Sequence, residues 1–331
     1  MSISQAQQHL IFGTGPAACW TAKALVDQGI SVKAINRTGT RPALMPDSVG
    51  ILKCDVLSET DLPGLLEQCR KVAVVYQMLN PRYSQWEELF PSLQRNTMKF
   101  AQTLKTKYIA LENLYSLDHR QTMTETSPSR PSSIKGQVRL KMHQELMAAH
   151  HSGHLSVTTL RASDFFGPGV LVSAFGSRLF DPLMVGKAPS LMGDMSQPHS
   201  LAYIADVGRA AAALGLDRSG ELMGLSWLAP HNPALTQEQW LKQVLEQQKT
   251  NLGLSFGKSP KVVKPWMLRL AGLFDKDAKA LVEMMYQFQT PFVVDSSLSH
   301  QQLRLRPTPL NVAIEETLDW YKRRHSSISS S

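Results

Sequence analysis

The sequence predicts an α/β protein, a doubly wound parallel sheet carrying a small C-terminal α+β substrate lobe. Three observations predict it. Short apolar runs alternate with helix-like stretches through the first half of the 331 residues, the rhythm of a parallel sheet with crossover helices. One of those runs, KVAVVYQM at 71–78, is almost continuously apolar, as a strand buried on both faces should be. Beyond about residue 165 the rhythm stops, and proline and glycine recur between short segments.

Each element follows from local pattern. Residues 8–13 form an apolar strand, and 16–28 a helix opened by Pro16, a residue suited to a first helical turn. ISVKAINR (30–37) alternates as a strand, and VGILKCDV (49–56) supplies the next. Ser58 stands where a short helix would be capped. After the 71–78 strand come an amphipathic helix over 85–105 and a fifth strand at 107–113. A polar loop (116–136) leads to a helix ending near His151, then to a sixth strand at 155–163. FFGPG (165–169) is a turn signal. The domain reading is therefore a nucleotide-binding domain over 8–165 and a mixed region over 166–325, holding the last sheet elements and the substrate lobe. The serine-rich end, 326–331, is expected to be disordered.

Composition narrows the function. The chain has 35 basic and 27 acidic residues, a net +8, but the basic residues are scattered. That pattern reads as mild attraction for anionic small molecules, with no nucleic acid partner. Cysteines number three and lack CxxC spacing, which excludes a disulfide framework and fits a reducing compartment. No apolar run is long enough to span a bilayer and no leader is evident, so the expectation is cytoplasmic, without a membrane partner. His143, His150, His151 and His154 crowd one helix end. They read as complements to the helix dipole, and no metal is expected.

The informative stretch is Gly13-Thr14-Gly15-Pro16-Ala17-Ala18, between the first strand and the first helix. It is the G-x-G-x-x-G/A dinucleotide fingerprint of a Rossmann-like fold. Gly13 permits the turn, Gly15 lets backbone approach a pyrophosphate, and Ala18 allows close helix–sheet packing. The amides at the helix start then favour an anion. Where NAD binders carry a carboxylate for the ribose hydroxyls, this chain has Asn36 and Arg37, with Arg41 close behind. A guanidinium suits a 2′-phosphate, so NADP(H) is favoured over NAD(H).

GTGPAACW, NRTG, CDVLSETDL, VVYQMLNP and LRASDFFGPG, with HSLAYIADVGRAAAALG (199–215) and the closing LNVAIEETLDWYKRR, resemble the extended and atypical short-chain dehydrogenase/reductases, the NAD-dependent epimerase/dehydratase group. The resemblance runs from about residue 8 to 325, its motifs loose singly but in the family's order. It implies that Asp55 lies near the adenine ring, although a plain turn role serves equally. Gln77 and Asn80 become candidate contacts on the ribose and nicotinamide side. A homodimer through the helices beside Lys141 is also implied.

The family's chemistry uses a Ser or Thr after the fifth strand and Tyr-x-x-x-Lys on the next helix. The tyrosine moves a proton and the lysine lowers its pKa while holding ribose. Family members commonly carry a glutamate four residues after the lysine. Taking Glu145 as that residue makes Lys141 the family lysine and leaves Gln137 in place of the tyrosine. An amide shuttles no proton. Asn113 falls at the serine position. Tyr115 is either a nearby substitute phenol or an aromatic packed under the loop, with Tyr83 and Tyr203 as further candidates. At the sixth strand's carboxyl end, Arg161, Ser163, Asp164 and Phe166 read as substrate-binding or as a structural turn. His199 and Tyr203 join them ahead of a helix near Asp206, itself a candidate cap. Two functions follow: an oxidoreductase or epimerase working on a hydroxyl or carbonyl of a small sugar- or nucleotide-like metabolite, or a catalytically silent NADP(H) sensor.

Overall fold

A computed structural model describes residues 8–252 and 259–329. The first half of the chain gives β1 (Gln8–Phe12), α1 (Pro16–Val26), β2 (Ser31–Asn36), β3 (Gly50–Lys53), α2 (Asp61–Gln68), β4 (Val72–Gln77), α3 (Trp86–Leu104), β5 (Lys107–Glu112), α4 (Ile134–His151) and β6 (Ser156–Arg161). Then follow β7 (Asp164–Phe166), α5 (Ser177–Met184), β8 (Ser190–Met192), β9 (Pro198–His199), β10 (Leu201–Tyr203), α6 (Ile204–Leu216) and β11 (Ser226–Leu228). The remainder is β12 (Leu235–Thr236), α7 (Gln237–Leu252), β13 (Lys261–Val263), α8 (Pro265–Ala271), α9 (Lys276–Val282), α10 (Ser297–Leu303) and α11 (Leu310–Ser329).

Seven strands build one sheet in the order β11-β6-β5-β4-β1-β2-β3, all parallel. From β1 the chain winds outward to β2 and β3, then crosses back to β4, β5 and β6. Winding therefore reverses between β1 and β4. Outside the carboxyl ends of such a pair, open α/β sheets hold their ligands. At that end Phe12 is flanked by Ile35 on one side and Gln77 on the other.

The apolar runs form this sheet because both of its faces are covered. Leu10, Phe12, Ile35, Val75, Phe100, Tyr108 and Leu146 belong to one buried cluster, each side chain of that size adding about 1.5–3 kcal/mol. The cap position of α2 is Thr60, not Ser58, and its side chain makes no capping bond; Ser58, two residues earlier, accepts the Asp61 amide at 3.3 Å and donates to the Asp61 carboxylate at 2.8 Å.

Two compact units result. The first holds residues 1–113, 135–161 and 207–228; the second holds 114–134, 162–206 and 229–331. The last sheet elements expected within 166–325 are found at 207–228, which gives most of α6 and all of β11 to the first unit, whereas 114–134, read as part of the nucleotide-binding domain, belongs to the second. The second unit has its own core, with Phe166, Phe175, Phe180, Trp240, Phe288 and Tyr321 in one cluster.

The sheet element expected beyond residue 165 is β11, a seventh strand of only three residues, paired with β6 from Ser226 beside Thr159 and too short for its position to be read from a period. The disorder expected from residue 326 is replaced by helix, since α11 continues to Ser329. There the Ser326 and Ser327 hydroxyls donate back to the Lys322 and Arg324 carbonyls; residues 330–331 lie outside the described part. Among the described residues no helix is long and apolar enough to cross a membrane.

Candidate functional site

The glycine turn sits at the carboxyl end of β1. Gly13 has φ +117°, and a Cβ there would lie 2.8 Å from the Met78 carbonyl oxygen. The crowding comes from the strands themselves: Gly13 N donates to Ile35 O and Met78 N to Phe12 O. Only glycine fits. Gly15 is different. Its φ is −70°, open to any residue, and a Cβ would meet no protein atom within 4 Å. Internal packing therefore does not require this glycine; its smallness keeps clear the space in front of α1. The first bond of that helix runs from Cys19 N to Gly15 O, so the amides of Ala17 and Ala18 have no acceptor within the helix. No acidic residue occupies the first turn. A positive helix end with open space before it fits a phosphate.

Asn36 shapes the wall beside this turn. Its amide donates to Thr14 Oγ1 at 3.1 Å and Thr40 O at 2.7 Å, while its oxygen accepts from the Thr38 and Gly39 amides. The side chain is thus committed to loop geometry. Arg41 is likewise spent on the Pro46 and Val49 carbonyls. Arg37 is exposed just past β2. Asp55 accepts from the Leu57 amide at 3.0 Å, the turn role foreseen as its alternative.

Gln77 ends β4, directly across from Phe12. It is 1% exposed, and its Nε2 has no hydrogen-bond partner among the described residues. A buried donor left unmade costs about 1–3 kcal/mol, so an acceptor is wanted at this point. Asn80, three residues on, is exposed.

On α4 the structure corrects the sequence register. Gln137 and Lys141 are both exposed. The buried face carries Lys135, Gly136, Arg139, Met142 and Leu146. Glu145, used as the marker, instead pairs at the surface with Arg95 at 3.2 Å, so it says nothing about which residues face inward. The buried pair four apart is Lys135 and Arg139. Both were missed, although counting back from Met142 and Leu146 in steps of three and four would have found them.

Lys135 Nζ lies 5.4 Å from the centre of the Tyr83 ring, a cation–π distance. Tyr83 opens a short 3-10 turn beyond β4. The Arg139 guanidinium stacks over Phe90 at 4.9 Å and donates to Leu111 O at 3.1 Å. Beside it, Glu112 meets Arg161 Nε at 3.1 Å, His143 Nδ1 at 3.1 Å and Arg139 Nη2 at 3.8 Å. Burial alone would raise the Glu112 carboxyl, but His143, Arg161 and Arg139 bring it down to about 2. Arg161 is therefore locked in an ion pair across the sheet, not offered to a substrate. Asn113 is half-buried just past β5.

In the second unit, Ser163 Oγ is buried without a partner among the described residues. Its amide donates to His231 Nε2 at 3.3 Å, and His231 Nδ1 donates to Ala229 O at 2.6 Å. This arrangement needs neutral imidazole, and burial duly lowers the His231 pKa to about 4. His199 bonds Asp164 at 3.0 Å and Gln287 O at 3.0 Å, stacked on Phe288 and Phe292. Phe166 packs against Tyr203 and Trp240, and the Tyr203 hydroxyl donates to Glu316. Phe166, His199 and Tyr203 are thus core residues, not a substrate wall. Tyr115 is 6% exposed, the packed aromatic reading. Asp206, the acidic residue of the first turn of α6, also reaches beyond its helix: its carboxylate accepts from Thr308 N at 2.7 Å and Oγ1 at 2.6 Å.

A parallel sheet reversing at β1, with a glycine turn and a bare helix start over the reversal, is the architecture of the Rossmann-like α/β class. The chain belongs to the NAD dependent epimerase/dehydratase family, whose model matches residues 11–221. Solved structures agree on the fold. UDP-glucuronic acid 4-epimerase from Bacillus cereus, in complex with NAD, superposes with TM-score 0.72 at 18% identity, covering 96% of this chain and 100% of that one. UDP-glucose 4-epimerase from Thermotoga maritima gives 0.75 at 14%, covering 96% and 100%. dTDP-glucose 4,6-dehydratase from Bacillus anthracis, in complex with NAD, gives 0.74 at 16%, covering 97% and 98%. No curated protein sequence gives a significant match.

Proposed function

We propose that this protein binds a nicotinamide dinucleotide on the Gly13–Ala17 turn, NADP(H) in preference to NAD(H), and reduces a carbonyl on a small sugar- or nucleotide-like metabolite. The observation that carries the binding is the unpartnered Gln77 amide at the winding reversal, one strand from a glycine turn kept clear by Gly15. The residues present fit the cofactor. The Ala17 and Ala18 amides would receive its pyrophosphate, Gln77 would donate towards the ribose or nicotinamide side, and exposed Arg37 would meet a 2′-phosphate. When bound, the nicotinamide supplies hydride transfer.

The proton must come from the chain. Lys135 takes the inward position that the family's phenol would occupy, and an ammonium donates but does not accept. It can therefore neutralise the alkoxide formed as a carbonyl is reduced. Arg139, fixed by Leu111 O and Phe90, stays cationic and holds α4 in place. This favours reduction over epimerisation, which also needs a base. The second reading, a cofactor-holding sensor without turnover, is favoured by one observation: neither residue of the buried pair is a phenol. NADPH oxidation followed over a panel of keto-sugars and simple carbonyls separates the two. Turnover that disappears in Lys135→Met with NADPH affinity retained supports the reductase. NADPH binding with no turnover across the panel supports the sensor, and no binding of either dinucleotide refutes both.

A further inference from the structure

We propose that the tip formed by α8 and α9 docks this protein onto an anionic phospholipid surface. Five large apolar side chains stand exposed within nine residues: Trp266 at 56%, Met267 at 40%, Leu270 at 55%, Leu273 at 73% and Phe274 at 95%. Their direction follows from helix geometry. Leu268 is the buried residue of α8. Trp266 and Leu270, four apart, straddle the direction opposite to it at 100° per residue. They therefore point straight out from the body. The chain continues the same way, because the Leu273 and Phe274 amides bond back to the Leu270 and Ala271 carbonyls. The tip is also held rigidly: a Cβ on Gly272 would come within 2.9 Å of Lys279 Cα, so the two helices touch at their backbones. Asp275 caps α9 through the Asp277 and Ala278 amides, which spends its carboxylate locally.

Charge selects the occupant. Exposed Lys261, Lys264, Arg269, Lys276 and Lys279 stand before, among and after the apolar residues along the chain, against only Asp275 and Asp277 in the same stretch. A second copy of the chain meeting this face symmetrically would set these cations against their equals. A bilayer rich in acidic headgroups offers the opposite: negative charge at the rim and hydrocarbon beneath, where aromatic and leucine side chains settle. The expectation of no membrane partner rested on the lack of a spanning segment, which does not bear on a protein lying at the interface.

Flotation of the full-length protein with phosphatidylcholine vesicles, with and without about 30 mol % phosphatidylglycerol, tests this. Expected is binding at least about tenfold stronger to the anionic vesicles, weakened by salt. L273E/F274E should lose it while keeping its melting temperature, since both side chains already face solvent. K264E/K276E should bind both vesicles equally weakly. The proposal is overturned if neither vesicle binds, if L273E/F274E floats as well as wild type, or if sedimentation shows a dimer that L273E/F274E splits.

Discussion

The two glycines of the turn make separable demands, and substituting each in turn tests both. At Gly13 an alanine must adopt φ +117° with its Cβ 2.8 Å from the Met78 carbonyl. Left-handed backbone of this kind costs about 1–3 kcal/mol, and the overlap must be relieved by moving the β1–β4 pair. Gly13→Ala should therefore destabilise the protein by about 2–4 kcal/mol, seen as a lower urea midpoint. Gly15→Leu meets an ordinary φ of −70° and empty space. Lower unfolded-state entropy stabilises it by about 0.4–1 kcal/mol, and a poorer N-cap costs a similar amount, so stability should change by less than about 1 kcal/mol. Cofactor affinity should instead collapse by about a hundredfold, near 3 kcal/mol, read by NADPH fluorescence titration. If Gly15→Leu binds NADPH as wild type does, the space before α1 is not where the pyrophosphate rests.

Three further outcomes are expected. Arg37→Glu should lower the NADPH affinity and raise that for NADH, since it places a carboxylate where a ribose hydroxyl could be accepted; an unchanged ratio would remove the 2′-phosphate assignment. Gln137→Tyr should leave turnover untouched because that position faces outward, whereas Lys135→Met should abolish it; the reverse result would restore the sequence register. Stability should also fall in mild acid. His231, neutral in the fold down to about pH 4, would protonate near 6.5 when unfolded, so its stabilisation is complete above 6.5 and shrinks as pH drops towards 4. At pH 5 the loss from His231 is about 2 kcal/mol; His231→Gln should make the fall in urea midpoint between pH 7.5 and 5 smaller by that share, the buried His9, also lowered to about 4, accounting for a remaining part. Glu112, held at about 2, affects stability only below its ordinary value of 4.5.

The sheet was legible because its signal is local: apolar runs of strand length, a glycine turn and a proline at a helix start announce themselves in order. β11 was not, since three residues carry no period and their pairing with β6 is decided far away in sequence. The glycine turn was legible for the same reason as the sheet, and the structure separates its two glycines: Gly13 is demanded by its backbone and the Met78 carbonyl, while Gly15 is not demanded by packing. The inner face of α4 was misjudged because one glutamate, free to pair with Arg95 at the surface, was trusted over the stripe ending in Met142 and Leu146. Arg161, Phe166, His199 and Tyr203 sit near the expected strand ends, but sequence alone could not tell that Glu112, Trp240, Phe288 and Glu316 had already claimed them.

The chain changes unit at residues 113/114, 134/135, 161/162, 206/207 and 228/229. A ribosome must therefore finish about two thirds of the polypeptide before β11, the outermost strand of the seven-stranded sheet, exists. Neither half can be lifted out by trimming an end, and a chimaera with a relative would need several matched splice points. Such long-range threading slows folding, so the nascent protein would hold its half-made sheet edge open the longest just before residue 226 emerges.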